Sequence, residues 1–308
     1  MMYRMLSPWT TTQAQLEEAL ARARFAPCAA AQEKSVGWVE PRGQAHGALV
    51  EVVDGQWLLE QALETKSVPA SVVKRRLEDR VAQIEAASGR KPGKKERRDL
   101  ADDIRQTLLP QAFSKQASTL VWIDPKAARV LLDAGSQARA DEAMTALVNA
   151  IEGLVVQPVD STTAPATAMA HWLSSQEAPA GFSIDRECEL KAPDESRAVV
   201  RYTRHALDID EVRQHIAQGK MPTRLAMTWN GRLSFVLTEA LQLRRLALLD
   251  HVLEDRPQAA GDRQEDDFDT DVALVTGELR RLLPDLLAAL DGEAAPTPDD
   301  RPPMTDPR

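Results

Sequence analysis

The chain has 308 residues, 43% of them hydrophobic, about twice a common domain, so it can bury a real core in two or three units. Its formal net charge of −9 argues against nucleic acid as a partner unless positive charge is gathered in one place. No apolar run approaches the roughly 20 residues that span a bilayer, and the start of the chain has neither signal-peptide nor presequence character, so a cytoplasmic location with no membrane partner is expected.

Near the N-terminus, Leu16, Ala19, Leu20 and Ala23 recur at helical spacing, and the segment 25–28 ends that helix at a proline. Residues 48–53 and 56–63 read as two strands turned by Asp54-Gly55, a strong hairpin signal. Val73, Leu77, Val81 and Ile84 then form one apolar stripe on a helix. A breaker at 88–93 follows, and a second stripe of Leu100, Ile104 and Leu108 stops at Pro110. The pattern predicts two antiparallel helices whose narrow stripes pack on each other or on a partner. Strands are expected at 119–123 and 129–132, a helix at about 138–151 and a short strand at 154–156. The Ser/Thr/Ala/Pro stretch at 160–168 is the candidate domain boundary. Beyond it lie strands at 182–190 and 198–202, a helix at 208–218, a hairpin at 223–237 turned by Asn230-Gly231, and a closing amphipathic helix at about 269–290.

These elements predict an α+β fold with antiparallel sheets and a projecting helical hairpin. The expected units are a central domain from 1–66 and 111–160, a helical-hairpin tip at 67–110, a second α+β domain at 161–292 and a disordered tail at 293–308.

Charge is unevenly spread. Between Lys66 and Arg98 stand eleven basic residues, namely Lys66, Lys74, Arg75, Arg76, Arg80, Arg90, Lys91, Lys94, Lys95, Arg97 and Arg98. Glu78, Asp79, Glu85 and Glu96 oppose them, leaving about seven positive charges. From Asp250 onward the balance reverses, with sixteen acids against six arginines. A basic helix can neutralise several phosphates whatever the sequence, although such runs are also common as plain solvated faces. Arg75 and Asp79 are spaced to pair within the helix. Arg90, Lys91, Lys94 and Lys95 have fewer acids beside them and read as the better phosphate ligands.

Familiar catalytic constellations are missing. The histidines His46, His171, His205, His215 and His251 are scattered, with no HExxH, zinc spacing, P-loop or GxSxG, and no cofactor or metal is expected. Cys28 and Cys188 read as free, small buried hydrophobes in a reducing compartment. The acidic run Glu265-Asp266-Asp267-Phe268-Asp269-Thr270-Asp271 reads as the acidic first turn of the closing helix, with Mg²⁺-dependent nuclease chemistry as its functional alternative. Trp57, Trp122 and Trp229 lie in apolar strands and read as core rather than as stacking platforms; Trp38 is open between the two.

Ten segments in order resemble the recombination-associated protein RdgC family. They are Tyr3-Arg4, Phe25-Ala26-Pro27-Cys28, Gly37-Trp38-Val39, Leu108-Leu109-Pro110-Gln111-Ala112-Phe113-Ser114 and Trp122-Ile123-Asp124, then Gly181-Phe182, Glu189-Leu190-Lys191, His215-Ile216 with Gly219-Lys220, Leu225-Ala226 with Trp229, and Thr276-Gly277-Glu278-Leu279. The resemblance implies a horseshoe-like subunit that pairs at both ends into a two-fold ring. Duplex DNA would pass through its basic hole without sequence preference, and RecA-dependent strand exchange would be restrained by competition for DNA on the nucleoid. Carried over by position, Phe113 is implied as the interface aromatic at one pairing end, and Arg204 and His205 as a polar pair on the DNA-facing side of the second unit. Two departures stand out. The family is expected to open with an apolar strand several residues earlier, so the first strand here should be short. Gln111 stands where arginine is expected, which removes one positive contact beside Phe113.

The expected function is therefore a non-enzymatic, non-sequence-specific DNA-binding homodimer. Its DNA ligands would be Lys74, Arg75, Arg76, Arg90, Lys91, Lys94, Lys95, Arg97, Arg98, Arg204 and His205, with Phe113 and Gln111 at the dimer interface. Duplex DNA is the expected partner and single-stranded DNA the variant of it, with functional antagonism towards RecA. The competing readings are a divalent-metal nuclease and a structural protein whose hairpin pairs with protein helices.

Overall fold

The computed structural model describes residues 1–250, 252 and 264–296. It is a mixed α+β fold with two antiparallel sheets and, among the described residues, seven α-helices.

The first sheet has seven strands: β1 (Met2–Met5), β2 (Lys34–Val39), β3 (Glu51–Val53), β4 (Gln56–Lys66), β5 (Ser114–Asp124), β6 (Arg129–Asp133) and β7 (Val156–Pro158). They run in the order β2-β4-β5-β6-β1-β7, with β3 also paired to β4. Side chains along each strand alternate between two cores, as the pleat requires. Tyr3, Leu59, Val121, Ile123, Val130 and Leu132 face helices α1 (Gln13–Ala21) and α4 (Gln137–Ala150), which supply Leu16, Leu20, Met144 and Leu147. On the opposite face, Met2 and Trp122 join the core of the second unit. Helix α1 starts on a capping box in which Thr12 and Gln15 satisfy each other's backbone N–H.

The helical hairpin consists of α2 (Ala70–Ser88) and α3 (Lys94–Leu108) and leaves the sheet between β4 and β5. The Ser/Thr/Ala/Pro stretch at 160–168 is only partly a linker, because Pro165 opens helix α5 (Pro165–Ser175) from its first turn, where a missing N–H costs nothing. The second sheet follows the order β12-β11-β10-β8-β9, formed by β8 (Phe182–Lys191), β9 (Val199–Thr203), β10 (Met221–Trp229), β11 (Leu233–Thr238) and β12 (Leu243–Leu248). Its core face is covered by α5 and α6 (Asp210–Ala217) and by the closing helix α7 (Gln264–Ala289). Both expected two-residue turns are present, with Asp54 and Gly55 at φ 50° and 76°, and Asn230 and Gly231 at φ 47° and 62°.

Trp38, Trp122 and Trp229 are core residues, and half-buried Trp57 packs edge-on against Trp9 at 5.1 Å. Trp38 is placed by the residue before it. A Cβ on Gly37 would stand 2.4 Å from the Phe25 backbone, so glycine lets residues 23–25 cover the β2 edge. There the Phe25 N–H donates to the Trp38 carbonyl and the Trp38 N–H to the Ala23 carbonyl, both at 2.9 Å.

Helix α7 holds the two sheets together. Residues two apart on a helix point about 200° apart, and Glu278 and Arg280 use this to face different units. The Arg280 guanidinium meets Asp124 of β5 at 2.9 Å, and Asp124 also accepts the N–H groups of Lys126 and Ala127. Glu278 accepts two bonds from Arg232, in the β10–β11 turn, at 2.9 and 2.8 Å, and one from Arg281. Both carboxylates are only 1% exposed. Farther along, Asp285 accepts the Trp229 indole N–H at 2.9 Å. Glu293, at the head of the expected tail, pairs with Arg4 and Arg129 of the first sheet. The remainder of that tail, 297–308, lies outside the described residues.

Removing one partner of a buried pair leaves an uncompensated charge, which costs about 3–5 kcal/mol. Glu278→Ala should therefore lower the unfolding free energy by about 3 kcal/mol in a urea titration; a loss under about 1 kcal/mol would contradict this account of α7.

Candidate nucleic-acid interface

The hairpin is built with little core. Helix α2 ends at Gly89 in the left-handed region, φ 70°, where glycine carries no Cβ penalty. Val73 and Val81 are buried in the seam, Leu77 and Ile84 are half-buried, and α3 contributes half-buried Leu100, Ile104 and Leu108 with no fully buried side chain. Two helices that touch along one seam expose most of their circumference, and on that surface stand the expected ligands. Lys74, Arg75, Arg76, Arg90, Lys91, Lys94, Lys95, Arg97 and Arg98 are all exposed.

Local acids consume a different subset of these cations from the one expected. Arg90 makes two bonds to Glu96, at 2.8 and 3.2 Å, and Lys91 lies 3.6 Å from Glu85, so these two breaker residues are the paired ones. The Arg90 bond raises that guanidinium's pKa, and the same contact holds the Glu96 carboxyl below its ordinary range. Lys74 reaches Glu78 at 4.0 Å, whereas Arg75 and Asp79 do not pair. Lys66 turns away from solvent to the carbonyls of Cys28 and Ala29. Among the described residues, Arg75, Arg76, Lys94, Lys95, Arg97 and Arg98 form no ion pair. Lys94 and Lys95 occupy the first turn of α3, whose cap, Gly93, offers no side-chain bond to the free amides. Helix dipoles disfavour cations at that end by about 0.3–1 kcal/mol, while free first-turn amides attract anions. The same turn carries one acid, Glu96, which Arg90 engages.

Phe113 follows a short 3-10 turn, Leu109–Gln111, at the foot of α3. Leu109 is buried there, Gln111 is exposed, and Phe113 is 96% exposed, an uncommon state for a large aromatic outside an interface. In the second unit, Arg204 and His205 occupy the turn after β9, both exposed, with Arg204 at φ 55°. The His205 N–H donates to the Arg186 carbonyl at 3.1 Å, and its ring lies 5.9 Å from that of Tyr202. Sequence reasoning gave no role to the neighbours gathered here. His215 lies 6.5 Å from Tyr202 between ring centroids, and the Lys220 ammonium stands 3.1 Å from His215 Nδ1. The segment 215–220 was visible as a family-like string, but its proximity to His205 depends on α6 folding back beside β9. The structure thus gathers the hairpin cations into one group and places Arg204 and His205 in another, on the second unit.

The acidic run lies in the first turns of α7, the place expected for it, and the helix opens at Gln264, earlier than the expected 269. Asp269 pairs with Arg42, whose guanidinium lies 4.5 Å over the Phe268 ring. The side chains of Glu265 and Asp266 lie outside the described residues. Among the described residues no group of three or more His, Cys, Asp or Glu side chains is placed to hold a metal. Cys28 and Cys188 are buried free thiols. Burial first, and Glu187 second, push the Cys188 pKa up to about 12, so it stays a protonated thiol. No helix among the described residues is long and apolar enough to cross a membrane.

Comparison with known proteins points to the same family as the resemblance. A family described as "Putative exonuclease, RdgC" matches residues 1–293. A protein of Dechloromonas aromatica (strain RCB) named "Recombination-associated protein RdgC" is 41% identical over 295 residues, covering 95% of this chain and 96% of its own. Proteins of the same name from Janthinobacterium sp. (strain Marseille) and Bordetella pertussis (strain Tohama I) are each 43% identical over 291 residues, covering 94% of this chain and 96% of theirs. Similarity of this extent means that the chain belongs to the RdgC family of recombination-associated proteins.

Proposed function

We propose that the protein binds duplex DNA without sequence preference through the α2–α3 hairpin, as a homodimer that closes around the duplex and limits RecA access during recombination. The observation that carries this reading is the group of unpaired cations on the hairpin of a chain whose net charge is −9. Exposed Arg and Lys side chains release phosphate counterions on binding and require no base contacts. Arg204 and His205 extend the phosphate-facing surface to the second unit. Exposed Phe113 and the thinly covered seam of the hairpin supply an apolar surface for a second copy of the chain, and closed two-fold pairing is the common solution for such surfaces. Pairing at both ends of a horseshoe-like subunit, the ring and the placement on the nucleoid extend the same reading. Single-stranded DNA shares the phosphate chemistry and is the secondary ligand.

Affinity for a mixed-sequence duplex should fall linearly in log–log coordinates with salt, by about 0.9 per phosphate contacted. The double reversal Lys94→Glu with Lys95→Glu should weaken binding on all sequences alike and flatten that slope by about 2. An unchanged slope would remove these lysines from the interface.

Phe113→Ala should weaken dimerisation by about 2 kcal/mol or more, read as the appearance of monomer at nanomolar concentration. An unchanged dimer mass would contradict its role.

The family description favours a second reading, an exonuclease, and linear duplex incubated with Mg²⁺ separates the two. Intact, shifted DNA supports the binder, whereas shortening of the DNA that is lost in Asp267→Ala supports nuclease chemistry on the acidic run.

A further inference from the structure

Two of the family-like segments, 25–28 and 108–114, are far apart in the chain, and the DNA-binding reading makes no use of the first. Both adjoin the end of β4 at the foot of the hairpin. Lys66, the last residue of β4, pairs directly with Ser114, the first of β5, so residues 67–113 project from the end of this strand pair, where β2 flanks β4 as far as Thr65.

Glu64 stands at this foot, on β4 opposite Gln116, and is only 4% exposed. Its carboxylate accepts the Cys28 backbone N–H at 2.8 Å. The Cys28 thiol meets the Glu64 carbonyl at 3.5 Å. Two residues later, the Lys66 ammonium donates to the carbonyls of Cys28 and Ala29, at 3.2 and 3.1 Å. A carboxylate and an ammonium from one strand thus grip the same short loop, one by its N–H and the other by its carbonyls. Charge-assisted bonds of this kind are stronger and more directional than neutral ones. Ser114, the Cys28 N–H and the Lys66 ammonium also hold the Glu64 carboxyl below its ordinary range, which keeps it ionised.

We propose that Glu64 is a positioning residue that, with Lys66, clasps the 26–29 loop to the foot of the hairpin and fixes the direction in which the hairpin and Phe113 leave the body. Phe113 directly precedes Ser114, which pairs with Lys66 across the β4–β5 ladder, so holding Lys66 also anchors the backbone that presents the aromatic. The functional consequence rests on the reading of Phe113 as a pairing residue; the clasp itself does not.

The test uses the full chain with spin labels at Ala14→Cys on α1 and Ala87→Cys near the end of α2, both exposed positions, while Cys28 and Cys188 are buried. The distance distribution between the labels is measured in the parent, Glu64→Ala, Glu64→Gln and Lys66→Met, beside the dimer dissociation constant of each. Glu64→Ala should broaden the distribution and raise the dissociation constant about tenfold. Glu64→Gln, which keeps an acceptor for the Cys28 N–H, should restore part of both. Lys66→Met, which removes the ammonium and keeps the apolar stem, should broaden the distribution even if Glu64→Ala folds poorly. Unchanged distributions in Glu64→Ala and Lys66→Met overturn the clasp. A broadened hairpin with unchanged dimerisation supports the clasp and overturns the pairing role of Phe113.

Discussion

Two buried carboxylates on opposite sides of one helix set the arrangement of this protein. Asp124 and Glu278 are both withdrawn from water, and each such burial costs several kcal/mol unless a cation and hydrogen bonds meet it. Asp124 belongs to the first sheet and finds its cation, Arg280, on α7; Glu278 belongs to α7 and finds Arg232 on the second sheet. Sliding or rotating α7 would strand one charge or the other. Apolar packing alone tolerates small shifts, whereas this pair of contacts selects one register. The units that carry the hairpin and the Arg204–His205 turn are thereby held in a defined relation.

The second constraint is electrostatic. An acidic chain approaches DNA productively only where its cations are both concentrated and free. Several cations near the hairpin are engaged: Arg90 by Glu96, Lys91 by Glu85, and Lys66 by loop carbonyls. The remaining group, Arg75, Arg76, Lys94, Lys95, Arg97 and Arg98, includes lysines at a helix end where the dipole disfavours them. Acidic side chains are meanwhile engaged by other cations of the chain, as Asp269 with Arg42 and Glu293 with Arg4 and Arg129 show. Net charge therefore describes the chain poorly, and its distribution explains how DNA can be approached.

Much of this was legible in the sequence where the signal is local. The Asp54-Gly55 and Asn230-Gly231 turns, the two hairpin helices and the closing helix follow from turn chemistry and apolar periodicity, and the structure forms each of them. Signals that depend on tertiary neighbours were not readable. Strand β2 is polar at its start and is defined by pairing with β4 and by Gly37 accommodating Phe25. Strand β12 contains Arg244 and Arg245 and is recognisable only beside β11. Pro165 resembled a linker residue because proline is equally at home in a loop and in a first helical turn. In the candidate interface, counting acids along the chain suggested Arg90 and Lys91 as free; the turn at 89–93 brings Glu96 and Glu85 back to them. Cys28, Glu64 and Lys66 gave no hint of meeting, since their contact requires the return of the 26–29 loop to the end of β4.

The central claim, that DNA is held by the hairpin, is tested most directly by hydrogen exchange of the full-length protein with and without a mixed-sequence duplex at low salt. The account predicts new protection at the start of α3, around Lys94 and Lys95, and in α2 around Arg75 and Arg76, with the exposed acidic first turns of α7 unchanged. DNA-dependent protection confined to other elements, with the hairpin exchanging as in the free protein, would contradict it.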